Sequence, residues 1–186
     1  MQEITYAARG FLTVRNSPLR VPLSGSLAVR ADPGSGRFAG DLVIDPCTVS
    51  WTVPGGTLLS ATIQITAESP AVGQVDHEGR LSATVTVDAV IAEARAVGQT
   101  LISGGSCRTA THAVVPLRSE PGFDLERGGR LGGTYDRPPF TGCGWLTPLV
   151  NLVAAGSGNA VLIDLVPLTP GGEVPAAGCP GASPAR

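Results

Sequence analysis

RLSATVTVDAVIAEARA, residues 80–96, is the longest regularly alternating run in the chain. Leu81, Ala83, Val85, Val87, Ala89 and Ile91 occupy every second position, and Ser82, Thr84, Thr86 and Asp88 fill the places between. Side chains on a strand point alternately to opposite faces, so this period of two predicts a long strand with one apolar and one wet face. From Asp88 to Ala96 the Ala and Glu content makes a helix the competing expectation.

The same pattern continues upstream. Thr57–Ala67 sets Leu59, Ala61, Ile63 and Ile65 on one face, and Thr48–Val53 does so with Val49, Trp51 and Val53. Pro54-Gly55-Gly56 turns the chain between them. Ser26–Ala31 and Arg37–Asp45 flank Asp32-Pro33-Gly34-Ser35-Gly36, which predicts a hairpin, and Gly40 suggests a bulge or a close backbone approach. Residues 3–15 read as one or two strands bent near Gly10. Leu19–Leu23 reads as a short strand that Pro22 confines to an edge. Residues 68–79 read as a polar loop.

Downstream, strands are expected at 97–103, 109–118, 131–135 and 159–168, with an irregular loop at 119–127. Thr147-Pro148 fits an N-cap followed by proline at the first helical position, and Gly156 fits a left-handed terminator. A helix of about nine residues does not hold alone in water and must dock. Residues 170–186 show no period. The expected fold is all-β: an antiparallel β-barrel or β-sandwich of about eight to ten strands, with one short helix near 147–155. The expected organisation is one β domain over 1–169 and a flexible Pro/Gly/Ala-rich tail over 170–186.

Composition narrows the function. The 186 residues are 42% hydrophobic and 15% charged, with 25 Gly and 16 Pro. That is too apolar for disorder and rich in chain reversals. The net charge is −2 and all 13 basic residues are arginine. Without lysine there is no P-loop lysine, Schiff base or Ser–Lys pair. Aromatic residues make up only 4% of the chain, a poor stacking platform, so nucleic acid is not an expected partner. No run of apolar residues is long enough for a transmembrane helix. Met1–Thr5 lacks the charged and apolar regions of a secretory leader, so an exported protein would be expected in trimmed form.

The four cysteines are Cys47, Cys107, Cys143 and Cys179. None form a C-x-x-C pair and only two histidines accompany them, so a disulfide framework is the better reading than zinc. Four cysteines allow three connectivities. Cys107–Cys143 is preferred because both lie in glycine-containing turns, Gly104-Gly105-Ser106-Cys107 and Gly142-Cys143-Gly144, that bound one long excursion, which leaves Cys47 with Cys179.

The segment GGSCRT, residues 104–109, followed by FDLERGGRLGGTYDRPPFTGCGWLTPLVNLVAAGSGN, residues 123–159, resembles a pattern in secreted or cell-envelope proteins of actinobacteria. The matching features are Ser106-Cys107-Arg108-Thr109, Gly132-Gly133-Thr134-Tyr135, the Phe140-x-x-Cys143-Gly144 corner and Gly156-x-Gly158-Asn159. The resemblance implies export and a GC-rich origin. It supplies no activity and no catalytic residues.

Candidate chemistry is sparse. His112 could serve a hydrolase only with a nucleophile such as Ser106 and an orienting carboxylate. His77 lies between Asp76 and Glu78. Carboxylate pairs such as Asp41/Asp45 or Asp76/Glu78 could act on a glycoside if they converged. Gly128-Gly129 and Gly132-Gly133 do not form a dinucleotide fingerprint. No cofactor or metal is expected. The leading expectation is a non-catalytic extracytoplasmic β domain, extracellular or in the cell envelope, that binds an envelope component or carries a lipid or other apolar small molecule. Trp51, Trp145, Leu149 and Val153 are the expected ligand-binding residues, with the helix at the mouth of a cavity. The rivals are a structural or protein-interaction module and a hydrolase using His112 or a carboxylate pair.

Overall fold

The computed structural model describes residues 2–15, 19–53 and 55–168. The expected Cys179 partner of Cys47 and the expected tail over 170–186 lie outside the described residues. The described residues contain thirteen strands: β1 (Gln2–Thr13), β2 (Arg20–Ala31), β3 (Arg37–Ile44), β4 (Cys47–Val53), β5 (Thr57–Ala67), β6 (Ala71–Val75), β7 (Leu81–Ala96), β8 (Gln99–Ile102), β9 (Cys107–Thr109), β10 (Ala113–Ser119), β11 (Gly129–Arg137), β12 (Phe140–Thr141) and β13 (Gly156–Pro167). A 3-10 turn, Gly144–Leu146, runs directly into helix α1 (Thr147–Ala154).

Eight strands close into an antiparallel barrel in the order β1-β2-β3-β6-β7-β10-β11-β13 and back to β1. Alternation explains the closure. On β2 every second residue from Val21 to Ala31 is buried, and on β13 Asn159, Val161, Ile163 and Leu165 are buried in turn. A half-buried sheet of this kind must either cover its apolar face with another layer or curl onto itself. Close backbone contacts let it curl. A Cβ on Gly10 would stand 1.9 Å from the Leu162 carbonyl oxygen, where β1 meets β13. At Gly40 it would press on the Leu27 and Val29 side chains, the close approach expected from the sequence.

β7 is longer than the ring needs. Its first half pairs with β6 at Leu81–Thr84 and with β10 at Ser82–Val87. Its second half, from Val87 to Ala96, pairs instead with β5, while β9 and β8 join it at Val90–Ile91 and Ala94–Ala96. β3 follows the same split, pairing with β6 only as far as Gly40. The hairpin β4–β5 therefore widens one end of the barrel. Asp88–Ala96 is strand rather than helix, because these pairings satisfy its backbone groups.

Other local expectations change. Residues 68–79 contain β6, whose Gly73 sits so close to β7 that a Cβ there would stand 2.3 Å from the Ser82 carbonyl oxygen. The strands expected at 19–23 and 26–31 are one, β2. Pro22 is tolerated because β2 pairs with β3 only from Gly25 onward, which leaves its missing N–H on a local edge. The segment expected at 109–118 bends between β9 and β10. Helix α1 starts at Thr147 without a side-chain cap. The preceding 3-10 turn already bonds the Thr147 N–H to the Gly144 carbonyl, and the Thr147 hydroxyl donates to that same oxygen at 2.8 Å. Ala155 ends the helix in extended conformation, and Gly156 opens β13 instead of closing a left-handed cap.

The narrow end is filled. Tyr6, Leu27, Phe38, Leu81, Phe123, Leu131 and Leu165 pack there, leaving a void of about 30 Å³. A second void of about 50 Å³ lies further along the axis. The Tyr6 hydroxyl donates to the Leu125 carbonyl, and burial together with the nearby Asp124 carboxylate pushes its pKa up to about 12.

Candidate functional site

The wide end is not filled. A cavity of about 400 Å³ lies where β7 leaves the ring, within the size range of small-molecule sites. Leu12 and Val21 form its floor against the barrel core. Val49, Trp51, Ala61 and Ile63 from the β4–β5 hairpin make one wall, and Ile91, Ala94 and Ile102 from β7 and β8 continue it. Phe140, Leu146, Val150 and Val153 close it from the helix side, while Leu101 and Leu149 stand partly in water at its rim.

The helix is held over this space by covalent and polar ties. Cys107 and Cys143 are bonded, with S–S 2.00 Å and Cα–Cα 4.3 Å. Beside the bond, the Ser106 hydroxyl donates to the Gly142 carbonyl at 3.0 Å. The Asn151 amide clamps β12 twice: its oxygen accepts the Phe140 N–H at 2.6 Å, and its nitrogen donates to the Phe140 carbonyl at 3.0 Å. These contacts fix a helix of eight residues that has no independent stability.

Three of the four expected ligand-binding residues, Trp51, Leu149 and Val153, line the cavity. Trp145 does not. The 3-10 turn swings its ring outward, and it is 80% exposed. Trp145, Leu149 and Leu152 make an apolar stripe along the outer face of the turn and helix. The expected hydrolase pairing of Ser106 with His112 is not brought together. Ser106 bonds to Gly142, whereas His112 Nδ1 lies 2.8 Å from Asp88 Oδ1 on an exposed face. Glu68 joins Asp88 and His112, with potential ligand atoms within 4.8 Å of one another, but Glu68 and His112 are exposed, and the half-buried Asp88 also accepts from the Thr109 hydroxyl. Asp76 and Glu78 both pair with Arg80 in the β6–β7 turn, where the Arg80 N–H groups lower the Asp76 pKa. Asp45 accepts from Ser24.

Polar groups in the cavity lining are few: Ser60, Arg95 and Arg137. Arg95 is exposed and paired with Glu93 at 2.8 Å. Neither Arg137 nor the nearby Tyr135 was among the expected ligand-binding residues. Tyr135 is buried and its hydroxyl accepts from Arg137 Nη2 at 2.6 Å. Arg137 Nη1 reaches the Ala154 carbonyl in the last turn of α1 at 3.5 Å. No known protein family, curated protein or solved structure matches this chain.

Proposed function

We propose that this protein is a non-catalytic binding barrel that takes an apolar small molecule, such as a lipid chain, into the cavity beneath α1. The carrying observation is the cavity itself. A domain that fills its narrow end down to voids of about 30 and 50 Å³ keeps about 400 Å³ at the other, walled almost entirely by aliphatic side chains. Empty space of that size costs stability, because the lining forfeits contacts on one side. An apolar occupant restores them. The Cys107–Cys143 bond supports a place in an oxidising compartment, outside the cytoplasm or in the envelope. Among the described residues no helix is long and apolar enough to cross a membrane.

Titration with the neutral fluorescent probe N-phenylnaphthylamine tests the reading. One saturable site is expected in the wild type. Ala61→Phe, which puts a ring into the cavity, should abolish it while the circular dichroism spectrum stays unchanged. A wild type that binds no probe, or a plugged variant that binds equally well, sinks the reading.

The exposed stripe of Trp145, Leu149 and Leu152 favours a second reading, a surface through which the domain engages a protein or envelope partner. Trp145→Ser with Leu152→Ser should then abolish any self-association seen by sedimentation and leave probe binding intact.

A further inference from the structure

Arginine is the only basic side chain this protein uses, and its placement is uneven. Every other described arginine is exposed, and Arg30, Arg80, Arg95 and Arg130 each pair with a carboxylate. Arg137 alone is half-buried, and among the described residues no carboxylate pairs with it. It lines both the large cavity and the void of about 50 Å³ in the barrel axis, so it stands where the two meet. A charge in apolar surroundings is costly unless an opposite charge or several hydrogen bonds compensate it. The protein supplies only part of this. Of the five N–H donors of a guanidinium, one meets the Tyr135 hydroxyl and another reaches the Ala154 carbonyl at a long 3.5 Å.

The position is nevertheless a built one. Tyr135 and Arg137 stand at the end of β11, where its pairing with β13 shifts register, and both side chains line the same void. The Tyr135 ring centroid lies 5.7 Å from the guanidinium carbon, which holds the fork in a fixed place. The last turn of α1 adds the negative end of a helix dipole. These contacts orient the arginine without neutralising it.

From this we infer that the cavity takes an amphiphile with a single carboxylate, whose head binds Arg137 beside the Tyr135 hydroxyl and whose chain lies along the aliphatic walls. The inference rests on the reading of the cavity as an apolar-ligand site and adds the chemistry of the head group. A carboxylate matches the planar fork of arginine in geometry and its single charge in amount. A phosphate monoester carries nearly two charges at neutral pH and would leave one unpaired in an apolar space.

The test uses three ligands of equal chain length against the wild-type protein: laurate, dodecanol and dodecylamine. Each competes with N-phenylnaphthylamine. Charge-assisted hydrogen bonds lost inside an apolar site should weaken dodecanol at least about tenfold relative to laurate, and dodecylamine further. Arg137→Gln should remove the preference for laurate over dodecanol, with an unchanged circular dichroism spectrum as the control for folding. Arg137→Lys keeps the charge but loses the fork, and should fall between the two. Equal binding of laurate and dodecanol by the wild type, or an undiminished preference in Arg137→Gln, overturns the carboxylate and leaves the cavity reading standing. Failure of the probe and all three ligands to bind the wild type overturns both.

Discussion

The two halves of β7 belong to one strand and end in opposite surroundings: Leu81–Ala89 alternates strictly in sequence, and Val90-Ile91-Ala92 breaks the alternation. From Leu81 to Val85 buried and exposed residues alternate strictly, whereas from Thr86 onward nearly every residue is half-buried. The first half sits between β6 and β10 in a closed ring whose interior is filled. The second half has exchanged those neighbours for β5, β9 and β8, and one of its faces looks into a cavity. Alternation in sequence therefore specifies a strand with an apolar face, and its neighbours determine whether that face meets side chains or empty space. The filled half supplies stability from which the unfilled half can depart.

The contrast can be broken most severely at the staple. Replacing Cys107 and Cys143 by serine removes a cross-link with a sequence separation of 36 residues. Stability should fall by roughly 3–4 kcal/mol in urea titration. Hydrogen exchange should accelerate in α1 and β12 more than in β1 and β2. Uniform acceleration would mean that the two ends do not behave as distinct units.

Paired truncations sharpen the contrast next. Leu131→Ala, at the filled end, should cost about 3 kcal/mol, because it opens a hole in close-packed surroundings. Ile63→Ala, in the cavity wall, should cost only about 1 kcal/mol, because the side chain already lacks neighbours on one side. Equal midpoint shifts in denaturant would erase the distinction.

A third handle is alkaline pH at the filled end. The Tyr6 hydroxyl keeps its proton up to about 12 in the folded state, against an ordinary value of 10.0. Above pH 10 the unfolded chain holds fewer protons than the folded one at this group, so its contribution to stability is whole below pH 10 and is lost towards pH 12. Tyr6→Phe should flatten that part of the stability curve. A curve unchanged by the substitution would place the buried ionisation elsewhere.

The smallest effect is at the tip of the β7–β8 hairpin. Val97 has φ 49° and Gly98 φ 78° in a two-residue turn. That turn wants Asn or Gly at its first position, and a β-branched residue is strained there. Val97→Asn should raise stability by about 1 kcal/mol without touching the cavity, raising the melting temperature and leaving probe affinity unchanged.

Much of this architecture was legible because burial has a period. β5 and the first half of β7 announce themselves through alternating side chains, and Gly40 marks a close approach. The cysteines beside Gly142, Gly144 and Gly105-Ser106 pointed to the staple that forms. Partner choice was not legible. Nothing local in residues 80–96 says that the strand changes neighbours at Val87, because that exchange depends on segments far away in sequence. β6 was hidden because AVGQV is five residues with a glycine at its centre. Trp145 pointed the wrong way because a 3-10 turn rotates side chains differently from the α-helix that follows it. Arg137 was overlooked because arginine before Pro138-Pro139 reads as a loop residue, and only the fold shows that the loop's first turn closes a cavity.

The β1–β13 seam has a consequence for the order of events. Tyr6 pairs with Pro167 and Thr13 with Ala160, so the ring joins the first described strand to the last. A chain emerging from the ribosome can form the β1–β2 and β2–β3 hairpins early, but β1 must wait with an unpaired edge until almost all described residues have been made. Contacts this distant slow folding, and an open edge in the meantime invites pairing between chains. A chain cut short before Gly156 would keep both edges of the seam exposed permanently, and aggregation rather than a smaller barrel is its expected fate.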